Sequence, residues 1–138
     1  ASRAITLEDL AQHSAGVIAL CPDIELAAPL KAIFADRLYL EVQHLSPSDG
    51  RRLREAQQTG RALDISLVAT HNVHFLKPEE HLHHRAVNAI RCNSLLTTVE
   101  PPEITTSEAW FKPAAEMQRN FPDHPELLQR SRSLICGS

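Results

Sequence analysis

The stretch from Ile65 to Leu76 constrains this chain more than any other. Leu67-Val68-Ala69-Thr70 is a short apolar and β-branched run, the pattern of a strand buried on both faces in a parallel sheet. Within one step it gives way to His71, Asn72 and His74. Such a change from buried strand to polar, ligand-type side chains is what the C-terminal end of a parallel strand looks like where it opens into a site. The functional end of the fold is therefore expected here.

Two earlier runs read as strands of the same kind, Val17 to Leu20, stopped by Cys21-Pro22-Asp23, and Leu38 to Val42. Helices are predicted between them. Thr6-Leu7-Glu8-Asp9 carries a capping residue followed three positions later by a carboxylate, so a first helix starts there, with Leu7, Leu10 and Ala11 as its apolar face and Gly16 closing it. A second spans about Ile24 to Ala35, with Pro29 able to shift its start. A third runs from Asp49, in the turn Ser46-Pro47-Ser48-Asp49, to about Leu63. Helix and strand alternating three times, with short connections, predict βαβ units and a parallel sheet. The strands' C-terminal ends then share one face, on which Cys21, Gln43 with His44, and His71 with Asn72 and His74 could converge.

After Pro78 the pattern becomes helical. Leu82, Ala86, Val87 and Ile90 are helically spaced within Glu79 to Cys92. Leu95 to Thr106, with Pro101-Pro102, reads as a loop with one edge strand. Short helices follow from Pro113 to Met117 and from Asp123 or Pro125 to Ile135. Residues 1–77 are expected to hold the βα units and residues 78–138 a helical cap or connector.

A length of 138 residues allows one ordinary domain but falls short of an α/β barrel of about 200 to 250 residues. Ala1-Ser2 and Gly137-Ser138 read as boundaries cut from something longer. A formal charge of −3 gives no general drive toward nucleic acid. Cys21, Cys92 and Cys136 are odd in number and widely spaced, which argues against a disulfide framework and for a reducing, cytoplasmic setting. No apolar run approaches the roughly 20 residues of a membrane span. Neither a Gly-x-Ser-x-Gly elbow nor a Gly-rich phosphate loop is present.

Taken together, the segments resemble the PHP (polymerase and histidinol phosphatase) domain of bacterial C-family DNA polymerases, the DNA polymerase III alpha subunit and its error-prone relatives. Gly16-Val-Ile-Ala-Leu20 is similar to the family's Gly-Leu-Ile-Ala-Leu strand, and Leu38-Tyr-Leu-Glu-Val-Gln43 to its Tyr-Leu-Glu-Leu-Gln strand. Val68-Ala-Thr-His-Asn-Val-His-Phe75 resembles Val-Ala-Thr-Asn-Asp-x-His-Tyr. Ala89-Ile-Arg91, Phe111-Lys112, Glu116-Met117 and Phe121-Pro-Asp-His-Pro-Glu126 follow in the family's order. The resemblance implies the C-terminal half of a distorted (β/α)7 barrel with parallel strands, then a helical connector toward the polymerase core.

The family's barrel holds zinc or manganese at its strand ends and supports phosphoester hydrolysis, for which adjacent metals activate a water and hold phosphate oxygens. Carried over, its Asp-x-His pair falls on Asn72 and His74, and its strand-end Cys on Cys21. These three are the candidate metal ligands. Two of them depart from the pattern: Asn72 is a neutral amide where the family has a carboxylate, and Cys21 stands in Leu-Cys-Pro. The His-x-His half of the family's site has no counterpart here, so no metal is expected in this chain alone.

Against these readings stand plainer ones. Asn72 suits a turn that bonds its own backbone, and Cys21 suits a small buried apolar residue. His81-Leu-His-His84 reads as a solvated or interface face, and Trp110-Phe111 as docking the connector into a core. The implied function is a mainly structural part of a DNA-directed DNA polymerase of replication or translesion synthesis. Its partners would be the rest of that chain, proofreading or clamp-associated subunits, DNA through the parent only, and a second copy. The alternative is part of a PHP-type metal-dependent phosphoesterase or 3′–5′ exonuclease. A half-barrel would leave sheet edges open, so either dimerisation or closure by the last helices is expected.

Overall fold

The computed structural model describes residues 5–43, 49–98 and 105–136. Three strands, β1 (Ala19–Cys21), β2 (Leu38–Val42) and β3 (Ser66–Ala69), form a parallel sheet in the order β1-β2-β3. Leu40 lies in register with Cys21 on one side and Leu67 on the other. Helices α1 (Leu7–His13), α2 (Ala27–Phe34) and α3 (Asp49–Leu63) precede the strands in turn. Beyond the sheet come α4 (His81–Arg91), α5 (Ala114–Asn120) and α6 (Pro125–Cys136). The α/β reading and the parallel sheet therefore hold; His44, Ser46 to Ser48 and Pro101-Pro102 lie outside the described residues.

Local chemistry explains the element boundaries. The Thr6 hydroxyl accepts from Asp9 N at 3.1 Å while the Asp9 carboxylate accepts from Thr6 N at 3.0 Å, a reciprocal cap that starts α1. Pro29 sits in the first turn of α2, where its missing N–H costs nothing, and a 3₁₀ turn at Ile24–Leu26 leads in. β1 begins at Ala19, not Val17. Arg37 donates to the carbonyls of Ser14 and Val17, the latter at 2.9 Å, and holds residues 14–17 out of the ladder. At its other end β1 includes Cys21, which the sequence reading put just beyond the strand.

Alternation divides the sheet into two faces. Cys21, Leu38, Leu40, Val42, Leu67 and Ala69 point to the face where α2, α3 and α6 supply Ala27, Phe34, Ala56 and Leu127. Leu38 and Leu40 are 2% and 0% exposed, each burial contributing about 1.5–3 kcal/mol. α3 approaches closely because Gly60 has no side chain; an added Cβ there would lie 2.5 Å from Leu67 Cδ1 and 2.8 Å from the Ile65 carbonyl oxygen. The opposite face carries Leu20, Tyr39, Glu41 and Val68.

α6 closes the outer edge of β3. Thr70 N donates to Val42 O, so the carbonyls of Leu67 and Ala69 point away from β2. Arg130 Nη1 donates to Leu67 O at 2.7 Å and Ser131 Oγ to Ala69 O at 2.5 Å. Side chains thus take the place of a fourth strand, and closure by the last helices is realised at this edge.

Candidate functional site

The candidate residues at the strand ends fall into two adjoining groups, with Thr106 of the second lining the cleft of the first. At the ends of β1 and β2, a cleft of about 550 Å³ is lined by Asp23, Glu41, Gln43, Arg52, Glu55 and their neighbours. Glu41 organises its floor. Its Oε1 accepts from Gln43 Nε2 at 2.9 Å and from Thr70 Oγ1 at 2.5 Å, tying the end of β2 to the end of β3. Neither Glu41 nor Thr70 was singled out in the sequence, where each reads as an ordinary strand residue.

Cys21 belongs to this end of the sheet. It is 3% exposed, and its Sγ–H donates to the Asp23 carbonyl at 3.0 Å. Burial pushes the thiol pKa up, and the Asp23 and Glu41 carboxylates add to that against the opposing Asp23 backbone bond.

His71 and His74 turn to a second site, where residues 71–75 meet residues 105–112 and α4. His74 N donates to Ala109 O at 2.8 Å, and Phe75 pairs with Trp110 in a short parallel bridge. His71 Nε2 lies 3.0 Å from Glu108 O and 2.9 Å from Trp110 O, so this nitrogen carries the hydrogen. Its Nδ1 is buried without a partner among the described residues. Burial lowers the His71 pKa, the Lys112 ammonium lowers it further, and the carbonyl contacts and Glu108 oppose both.

On α4, His81 Nε2 bonds Thr105 O at 3.0 Å, and Thr105 N donates to His84 Nε2 at 3.4 Å. The His81–His84 tract is therefore an interface face within the chain. His74 stacks edge-on against His84 with ring centroids 5.2 Å apart. Burial first, then His74, His81 and Arg91, lower the His84 pKa. Lys112 pairs with Glu108 at 2.6 Å and lies 5.7 Å above the Trp110 ring, its side chain only 4% exposed. Phe111 does not dock as expected. It is 63% exposed, while Ala109 and Phe75 are the buried apolar residues of this joint.

Asn72 and His74 have exposed side chains. Among the described residues no group of three or more His, Cys, Asp or Glu side chains is arranged to hold a metal ion. Cys21, Asn72 and His74 therefore do not come together with other such donors in a group of that size. Among the described residues no helix is long and apolar enough to cross a membrane.

No protein-family model matches the chain. Individual proteins do match it. Error-prone DNA polymerase 1 of Agrobacterium fabrum is 31% identical over 135 residues, which cover 92% of this chain and 12% of that protein. DNA polymerase III subunit alpha of Rickettsia bellii is 31% identical over 150 residues, covering 94% and 12%. The chain is related to one segment of the bacterial C-family DNA polymerases. The Caulobacter vibrioides DNA polymerase III subunit alpha adds 35% identity over 105 residues, covering 75% of this chain and 9% of that protein. The segment spans about an eighth of the length of the curated relatives it matches.

Proposed function

We propose that this chain is a structural module of a bacterial DNA polymerase III alpha-type or error-prone DNA-directed DNA polymerase, acting in replication or translesion synthesis. The observation that carries this reading is similarity to such polymerases along 92–94% of the chain at 31% identity. Within it, the three βα units are read as part of a PHP-type (β/α)7 barrel and residues 78–138 as a connector toward the polymerase core. The parallel sheet is compatible with that barrel, and the ordered motifs from Val68 to Glu126 support it.

A structural role suits the chemistry. Glu41 bonds Gln43 and Thr70, His71 bonds two carbonyls, and Cys21 is buried, so these side chains brace the strand ends. Zinc or manganese in an intact barrel would need ligands from outside this chain, with His74 as the contribution from this side. Three free cysteines, two of them exposed, fit a reducing cytoplasmic setting. The remainder of the polymerase is the immediate partner, with proofreading or clamp-associated subunits and DNA reached through it.

The test is hydrolysis by the purified chain of a phosphomonoester and of a single-stranded DNA 3′ end, with manganese or zinc added. No turnover is expected from the wild type or from His74→Ala. Metal-dependent turnover abolished by His74→Ala would replace this reading with a PHP-type phosphoesterase or exonuclease.

A further inference from the structure

The outer face of α3 carries a row of arginines turned to solvent. At about 100° per residue, Arg51, Arg54, Gln58 and Arg61 fall within about 80° of one another around the helix, and the row runs about 15 Å along it. All four are exposed. Leu53, Ala56, Gly60 and Leu63 take the opposite side and pack toward the sheet.

Other arginines brace the fold. Arg37 holds the carbonyls of Ser14 and Val17, Arg85 Nη2 donates to Leu96 O at 2.9 Å, and Arg130 Nη1 donates to Leu67 O at 2.7 Å. Arg54 and Arg61 make no such bond among the described residues. Arg51 pairs with Glu55 at 2.8 Å, but its side chain is 82% exposed, and a surface pair of that kind contributes little and exchanges readily. The acids bordering the row are engaged, Glu55 by Arg51 and Glu126 by His124, whose other ring nitrogen lies 3.3 Å from Gln57 Nε2. Arg52 turns to the cleft at the strand ends. The chain as a whole has a formal charge of −3, so any drive toward a polyanion is local to this helix.

Guanidinium groups stay charged throughout the physiological pH range and bind phosphate oxygens through paired N–H donors. A straight row of them suits a polyanion with evenly spaced phosphates, one per about 3.4 Å of axis in each strand of a DNA duplex. The row's other chemistry narrows the partner. It holds no apolar or aromatic side chain. Protein interfaces centre on such anchors, and binders of single strands use aromatic rings on which bases stack. A duplex held only through its backbone needs neither.

We propose that the outer face of α3 binds the phosphate backbone of duplex DNA without regard to sequence, with Arg51, Arg54 and Arg61 as its contacts. This adds a direct contact to the proposed function, in which DNA is reached through the rest of the polymerase. The choice of DNA as the polyanion rests on that reading; the geometry of the row does not.

Fluorescence anisotropy of a labelled DNA duplex, titrated with the 138-residue chain at a series of salt concentrations, tests the proposal. Three phosphate contacts predict a slope of about −2.7 for the logarithm of the binding constant against that of the salt concentration. Arg54→Gln with Arg61→Gln keeps helix propensity and should leave the melting temperature unchanged. Binding by that variant should weaken about tenfold or more, with the slope falling to about −0.9. Arg119→Gln with Arg132→Gln removes the same charge from α5 and α6 and should leave binding nearly unchanged. No saturable binding at low salt, or an equal loss in both double variants, would overturn the proposal. So would a single-stranded oligonucleotide or polyglutamate bound as tightly as the duplex. Duplex binding through α3 by a chain whose natural product does not extend a primer would defeat the polymerase reading alone.

Discussion

Gly60→Ala measures how tightly α3 is seated on the sheet. The new Cβ would lie 2.5 Å from Leu67 Cδ1 and 2.8 Å from the Ile65 carbonyl oxygen, with Leu40 Cδ1 next at 3.7 Å. Leu67 has a flexible tip and can turn aside. The Ile65 carbonyl cannot move far, because Ile65 N is bonded to the Gly60 carbonyl at 2.8 Å and the two backbones are tied together. Forcing a methyl group into such a contact costs about 1–3 kcal/mol. Replacing Gly by Ala within a helix returns up to about 1 kcal/mol. The net expectation is a loss of about 1–2 kcal/mol, or a fall in melting temperature of about 3–7 °C for a chain of this size. Gly50→Ala is the internal control, since its Cβ meets nothing nearer than Arg54 Nη1 at 3.7 Å and it should be neutral or stabilising. Thermal unfolding followed by circular dichroism decides the matter. If both substitutions raise the melting temperature alike, α3 does not approach β3 as described.

Two further predictions concern the sheet edge and the histidine joint. Ser131→Ala removes the donor to Ala69 O while keeping the helix, so urea unfolding should show a loss of about 1 kcal/mol, and Arg130→Ala a similar or larger loss through Leu67 O. No change in either would mean that α6 does not seal the edge. The folded-state pKa values of His71 and His84 lie below the unfolded imidazole value of about 6.5. Their contribution to stability is therefore present above pH of about 6.5 and is lost as pH falls below it, because the unfolded chain takes up protons first. Stability measured between neutral and mildly acid pH should decline, and less so in His71→Asn; a decline of the same size in the variant would exclude His71 as its source.

The sequence disclosed elements better than it disclosed their neighbours. Leu38 to Val42 is strictly alternating and bounded, and β2 occupies those residues. Thr6 and Asp9 cap α1 as their spacing implies. Where a distant side chain intervened, local reading moved off: Arg37 shortens β1 by binding Val17, a contact 20 residues away. Helical spacing located α4 but carried no information on which side would face the chain, since that depends on Thr105 and Leu96 accepting and donating from another segment. The same holds for the site. His71 and His74 were visible as a break after an apolar run, but their partners come from residues 108–110 and from His84 on α4. Glu41 was hidden because a carboxylate in an alternating strand looks like a solvent-facing residue until Thr70 is beside it.

The central claim is that this chain is a segment of a DNA polymerase. The most direct measurement is to capture the natural polypeptide from its source cells with an antibody raised against the 138 residues, size it and assay primer extension. The account predicts one polypeptide about eight times longer, in line with relatives of which the segment is 12%, that extends a DNA primer. A product the size of this chain, or a long one without primer extension, would contradict it.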